Sequence, residues 1–349
     1  MKIRKRLLGQ IEKVYSLSAV ANPVDPGLPS FAAGSDADGE LVLFEPPKYK
    51  PRILARKPGG FISLCPYTKN GRTYLLASTD FKPGFKAENC RILQYPLDQG
   101  EYPEPAIVAA LPYTHRIAVT TVGGKSCFLA STLCSSKSFK DDWSHPGSIH
   151  FSVIPDDPNQ PWTFRQIAGN LTRNHGMEFT RLQPETPGGF LVSATEGLFH
   201  LGIPGDASGT WPMDRIAADE YSDAFAYDWN RLGHTDIFTI SPFHGNVLSM
   251  FTKFKNGWEK ATIDDDLEFG HIIWAGDLLG KPGLLVGGRG GRKELRLYRS
   301  GPSGFHFETV DEGIGPAQML VLNDRKDFAK LVVSAHARNE VLLYDIGET

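Results

Sequence analysis

Ten histidines occur in the 349-residue sequence. Six of them (His115, His145, His175, His244, His271 and His336) stand where an apolar segment begins or in the polar loop that follows one. Imidazole binds divalent metals through nitrogen and exchanges protons near neutral pH. His175, His244 and His271 are therefore a candidate set for a divalent ion, Zn²⁺ first, with Mg²⁺ or Mn²⁺ as alternatives. His115 and His175 are candidate bases for removing a proton beside a carbonyl or carboxylate, and Arg289 is a candidate guanidinium for the anion that results. Tyr113 and His336 are candidate acids for a departing hydroxide or alkoxide. Asp223, Glu196 and Asp80 offer carboxylates for substrate binding, and Trp143 and Phe243 offer faces on which a sugar ring stacks. A single histidine at a strand start more often satisfies a turn; recurrence along the chain is what argues for a site.

Such a set needs a scaffold that gathers distant stretches, and the sequence repeats. Residues 270–299 read as short strands. They are apolar through Ile272, Ile273 and Trp274, turn at Leu279-Gly280-Lys281-Pro282, and are apolar again at Leu284–Val286. A Gly/Arg loop then leads into alternation at Leu295–Tyr298. The same order recurs in units starting near positions 13, 60, 115, 175, 222, 270 and 315. A fourth strand precedes each next unit, as at Arg52–Ala55 and Phe305–Val310. The seventh unit stops after Tyr344-Asp345-Ile346, whereas Lys2–Leu8 supplies a strand ahead of the first. Four strands per ~50 residues mark a β-propeller. The expected fold is all-β: one domain over 1–349, seven four-stranded blades, closed by the N-terminal strand completing the last blade.

In a propeller the start of each first strand and the end of each second strand share one face. The expected first-strand starts are Tyr15, Phe61, His115, His175, Asp223, His271 and Gln318. Loops after second strands hold Asp36, Asp80, Lys140, Asp141, Asp142, Trp143, His145, Glu196, His244, Arg289 and His336. Asp36-Ala37-Asp38-Gly39 within that group reads as a hairpin turn. Gly287-Gly288-Arg289-Gly290-Gly291 precedes a strand and not a helix, which argues against a phosphate-binding loop and a nucleotide cofactor.

Composition narrows the classes. A net charge of -3 without long like-charge runs gives no footprint for nucleic acid or an acidic membrane. No stretch reaches the ~18 apolar residues of a membrane helix. Cys65, Cys90, Cys127 and Cys134 lack knuckle spacing, so reduced thiols and a cytoplasmic location are expected.

The units resemble the FG-GAP or VCBS-type repeat in Ala275-Gly276-Asp277-Leu278-Leu279-Gly280, Tyr227-Asp228-Trp229-Asn230 and Leu322-Asn323-Asp324, without the full acidic set of calcium-binding copies. Pro112-Tyr113-Thr114-His115-Arg116, Asn174-His175-Gly176-Met177, Pro242-Phe243-His244-Gly245 and Gly270-His271 resemble the propeller of the aldos-2-ulose dehydratase family and related carbohydrate lyases. That resemblance implies a hydro-lyase or β-eliminating lyase acting on a small carbohydrate: a keto sugar, an anhydro sugar or a uronate. Two other expectations stand beside it. One is a non-catalytic glycan- or protein-binding propeller. The other is a glycoside hydrolase with Asp223 and Glu196 as its carboxylates.

Overall fold

Period-two alternation with Gly, Pro and Asn punctuation builds 28 strands in the computed structural model, which describes all residues except 23, 24, 26, 183–187, 348 and 349. The strands pair into seven antiparallel four-stranded sheets, each a blade. No helix occurs among the described residues. Blade 3 shows the pattern: Thr114–Val122, Lys125–Thr132, Gly147–Val153 and Arg165–Leu171 run up and down in chain order.

Burial peaks at the second strand of each blade and falls toward the rim. Second strands are almost wholly buried, as in Arg72–Thr79, whereas fourth strands such as Ala106–Ala110 alternate half-buried and exposed positions. Apolar side chains of adjacent blades interlock, and a cluster from Ile272, Leu285 and Leu297 to Leu331 and Tyr344 joins blades 6 and 7. At about 25 cal/mol per Å² of apolar surface, burying each such side chain contributes roughly 1.5–3 kcal/mol.

Closure follows the sequence reading. The N-terminal strand Lys2–Gln10 pairs antiparallel with Glu340–Gly347, from Lys2 opposite Gly347 to Gln10 opposite Glu340. The last blade thereby borrows its outer strand from the start of the chain, and the edge of Glu340–Gly347 is covered.

One local device recurs where blades enter the channel. Lys13, Tyr113, Arg173 and Phe269 adopt φ between 47° and 59°, and Gly60 and Gly315 adopt φ of 60° and 53°. Each precedes by two positions the residue that its blade places at the channel mouth. A non-glycine residue held there costs about 1–2 kcal/mol. The surrounding ladder imposes that cost and thereby aims the side chain that follows.

Candidate active site

The face carrying first-strand starts and second-strand ends holds a cleft of about 630 Å³. Its floor is a ring of one residue per blade: Tyr15, Ile62, His115, His175, Ser222, His271 and Ala317. Register fixes this ring, because each of these residues directly precedes the one opposite Gly34, Ser78, Ser131, Ser193, Ile240, Gly287 or Ser334. The expected starts Phe61, Asp223 and Gln318 are therefore displaced by one position. Phe61 is core, while Asp223 and Gln318 point into the channel below the floor. Ladder shifts at Tyr15, His115, His271 and Ala317 are β-bulges that turn the extra residue toward the axis.

The imidazoles are oriented from behind. His115 Nδ1 donates to the carbonyl of His175, His175 Nδ1 to that of Ser222, and His271 Nδ1 to that of Ala317, each at 3.1 Å. A carbonyl only accepts, so each Nδ1 carries the proton and each Nε2 presents a lone pair. Burial holds all three rings neutral, pushing their pKa values well below 6.5; Arg116, beside His115, adds to the effect. His244, on the loop after the second strand of blade 5, is pushed down to about 3 by burial and by Arg289. Its Nε2 lies 3.2 Å from His175 Nε2. One ligand atom each from His175, His244 and His271 lies within 4.8 Å of the others, close enough to hold a metal ion.

A second row runs beside the histidines. Arg289 Nη1 donates to His271 Nε2 at 3.3 Å, and Nη2 lies 3.1 Å from both ring nitrogens of His336. His336 Nε2 donates to the Asp36 carboxylate at 3.2 Å, leaving Nδ1 with the lone pair. The Tyr15 hydroxyl sits 3.1 Å from His271 Nε2 and 3.4 Å from His115 Nε2, with the Arg289 guanidinium over its ring. Burial raises the Tyr15 pKa, opposed by Arg116 and Arg289.

The remaining candidates divide. Phe243 lies on the cleft wall next to Trp143 and Phe85, with ring centroids 5.2–6.3 Å apart. Lys137 and Arg173 lie over the Trp143 ring, and Phe269 packs on the other side of His244. Tyr113 does not reach the histidines: it is buried with Cys90, Leu133 and Cys134. His145 is exposed on its loop, away from the cleft lining. Glu196 accepts from the Thr172 backbone at 2.8 Å, and Asp80 pairs with Arg91 at 2.9 Å, so both carboxylates are engaged outside the cleft. Asp223 lies beneath the floor, 3.6 Å from Arg116. Sequence reasoning assigns no chemistry to Tyr15, reads Asp36 as part of a turn, and passes over Arg116. Only Arg116 carried a signal, a cation beside a repeated histidine.

Fold and site together define a seven-bladed propeller whose channel mouth is floored by neutral imidazoles and edged by a guanidinium–imidazole–carboxylate row. No family profile and no curated protein matches the sequence. Among solved structures, a functionally unknown protein from Desulfotomaculum acetoxidans is similar at 12% identity, covering 92% of this chain and 89% of that one, with a TM-score of 0.53. An ancestral GH74 enzyme is similar at 11% identity over 97% of this chain, with a TM-score of 0.62. This chain spans 48% of that enzyme. At such identities the likeness is one of fold.

Proposed function

We propose that the cleft catalyses metal-assisted β-elimination of water or an alkoxide from a small carbohydrate bearing a carbonyl or carboxylate. The observation that carries this reading is the set of imidazoles tethered from behind, whose Nδ1–H···O=C bonds make each Nε2 an acceptor facing the axis. The donor set fits a divalent ion. The rings are neutral, their carbonyl partners fix the tautomer, and the 3.2 Å between His175 and His244 nitrogens is near the ~3.3 Å edge of a tetrahedron with ~2.0–2.1 Å bonds. His175, His244 and His271 would hold the ion, and a bound Lewis acid polarises a carbonyl or carboxylate oxygen.

The chain's own groups supply the rest. His115 and His175 resist protonation, which suits them to accepting hydrogen bonds or binding metal more than to storing a proton. His336 takes the role of base in this reading: Asp36 fixes its tautomer, and Nδ1 lies 3.1 Å from the Arg289 guanidinium that would hold the resulting anion. Arg289 presents N–H donors between His271 and His336, where a substrate oxygen gaining negative charge would take them. The Tyr15 hydroxyl is placed to protonate the departing oxygen. Phe243 and Phe85 would face the sugar ring with Trp143 packed behind them, and the same wall supports the second reading, a binding module without catalysis.

A glycoside hydrolase is less well supported, since it normally uses two carboxylates facing across the substrate. Two carboxylates line the cleft, Asp36, which is engaged by His336, and Asp141, which is exposed on its loop, whereas Asp80, Glu196 and Asp223 lie outside it. The test is elemental analysis of purified protein, followed by ultraviolet absorbance on incubation with keto sugars, anhydro sugars and uronates. An enone or unsaturated product that forms only with metal present supports the lyase. Saturable sugar binding with no absorbance change would leave the binding module.

A further inference from the structure

Below the histidine floor the channel is a separate cavity of about 450 Å³. It and the cleft share no lining residue, so the floor closes the channel from the cleft side. Two further tiers of first-strand residues line it. The upper tier carries Arg116 and Asp223, 3.6 Å apart, together with Ser16, Ser63 and Gln318. The lower tier places Glu178 among Ser18, Cys65, Ala118, Phe225, Trp274 and Leu320.

Glu178 is the odd group in that tier. Arg116 attracts both carboxylates but lies within ion-pair distance of Asp223 alone, and Glu178 has no hydrogen-bond partner among the described residues. Its side chain meets solvent only inside the channel, with blades on every side: it is open to a ligand yet enclosed by protein. Phe225 and Trp274 stand in the same tier with ring centroids 6.4 Å apart, and Phe179, 51% exposed, lies on the wall one residue beyond Glu178. An unmatched carboxylate inside an aromatic collar is complementary to an organic cation: the charge meets the acid, and its alkyl groups meet ring faces. The same enclosure, and then Asp223, raise the Glu178 pKa to about 7.

We infer that the channel is a second ligand site, entered from the face opposite the cleft, for a small organic ammonium compound held by Glu178 and the Phe225–Trp274 wall. It does not depend on the lyase reading.

Isothermal titration of the full chain at pH 8 with propylammonium and tetramethylammonium chloride, against sodium chloride at equal ionic strength, tests it. Saturable one-to-one binding of an ammonium ion, weakened about tenfold or more by Glu178→Gln, is the expected result. Trp274→Leu, a second probe should the first variant misfold, is expected to weaken binding severalfold. Asp141→Asn, which removes an exposed carboxylate from the cleft lining, is expected to bind as the parent does. Absence of saturable heat in the parent, equal affinity in Glu178→Gln, or loss of binding in Asp141→Asn would each overturn the assignment.

Discussion

His175 Nε2 lies 3.2 Å from His244 Nε2, although the two rings arrive from blade 4 and from the loop after the second strand of blade 5. His175 has committed its Nδ1 proton to the Ser222 carbonyl, so its Nε2 can only accept. Either His244 donates to it, or both nitrogens face one cation. The choice between these two states separates a metal centre from a polar contact.

Metal content decides between them. Purified protein is expected to carry close to one equivalent of divalent metal, and His244→Ala or His271→Ala to lose most of it. Chelation should lower the melting temperature of the parent and leave His244→Ala nearly unmoved. A metal held at 100 times its Kd stabilises by about 2.7 kcal/mol, which is several degrees of melting shift at most for a chain this size. Equal melting with and without chelator, in protein shown to be free of metal throughout, would return His244 to the role of donor.

Acid should destabilise the metal-free protein over a defined window. His115, His175 and His271 are neutral when folded because burial depresses their pKa values well below 6.5; unfolded, they titrate near 6.5. Groups depressed in this way favour the unfolded state increasingly as pH falls below 6.5, by up to ~1.4 kcal/mol per pH unit each. Above that value they cost the fold nothing through protonation. Asp223, raised to about 6, and Glu178, raised to about 7, act in the opposite sense and recover stability as pH falls toward 4. Histidines outnumber carboxylates, so the net slope is downward. Thermal melts from pH 7 to 5 with chelator should show the fall, and His115→Gln should make it shallower. A flat profile would contradict burial of neutral imidazoles.

The blades were legible in sequence because each carries its own punctuation, and the missing seventh outer strand had one visible counterpart at Lys2–Leu8. Residue type also led to His175, His244 and His271, which the fold brings together. What periodicity could not supply was register. Bulges at His115 and His271 add a residue that the strands starting at Gly176 and Asp223 do not have, so counting from strand starts set Asp223 beside the histidines instead of beneath them. Tyr113 was misplaced for a related reason: its left-handed backbone turns the side chain into the apolar patch so that His115 can enter the floor. Asp36 and His336, 300 positions apart, meet only because the ring closes, and nothing local marks either as the other's partner.

That Asp36–His336 contact gives a sharper expectation than deletion of either residue. If Asp36 sets the tautomer of His336, Asp36→Asn should lower kcat by about tenfold or more with little change in KM and none in metal content. Arg289→Lys keeps the charge but loses the fork that reaches His271 and His336 together, and should cost about 10²–10³ in kcat. Tyr15→Phe should steepen the dependence of rate on leaving-group basicity, since better leaving groups need less proton donation. Turnover that survives Arg289→Lys unchanged would remove the guanidinium from the mechanism.

Ring closure sets the largest stability effect. Lys2–Gln10 covers Glu340–Gly347 along its whole length, and Lys5 pairs with Asp311 at 2.5 Å on the neighbouring blade. Deleting residues 1–10 would expose the ladder groups of a strand whose Leu342, Tyr344 and Ile346 are core residues, creating an open edge. The deletion should cost more than ~4–5 kcal/mol and favour aggregation, whereas most single substitutions cost ~0.5–3 kcal/mol. A circular permutant supplies the control. It joins the original ends through a flexible linker and opens the chain between Asn256 and Gly257, in the turn joining the outer two strands of blade 5. That permutant keeps the terminal strand and the packing between blades, so its melting temperature should stay within a few degrees of the parent. If the deletion melted like the parent, the terminal strand would not be what closes the ring.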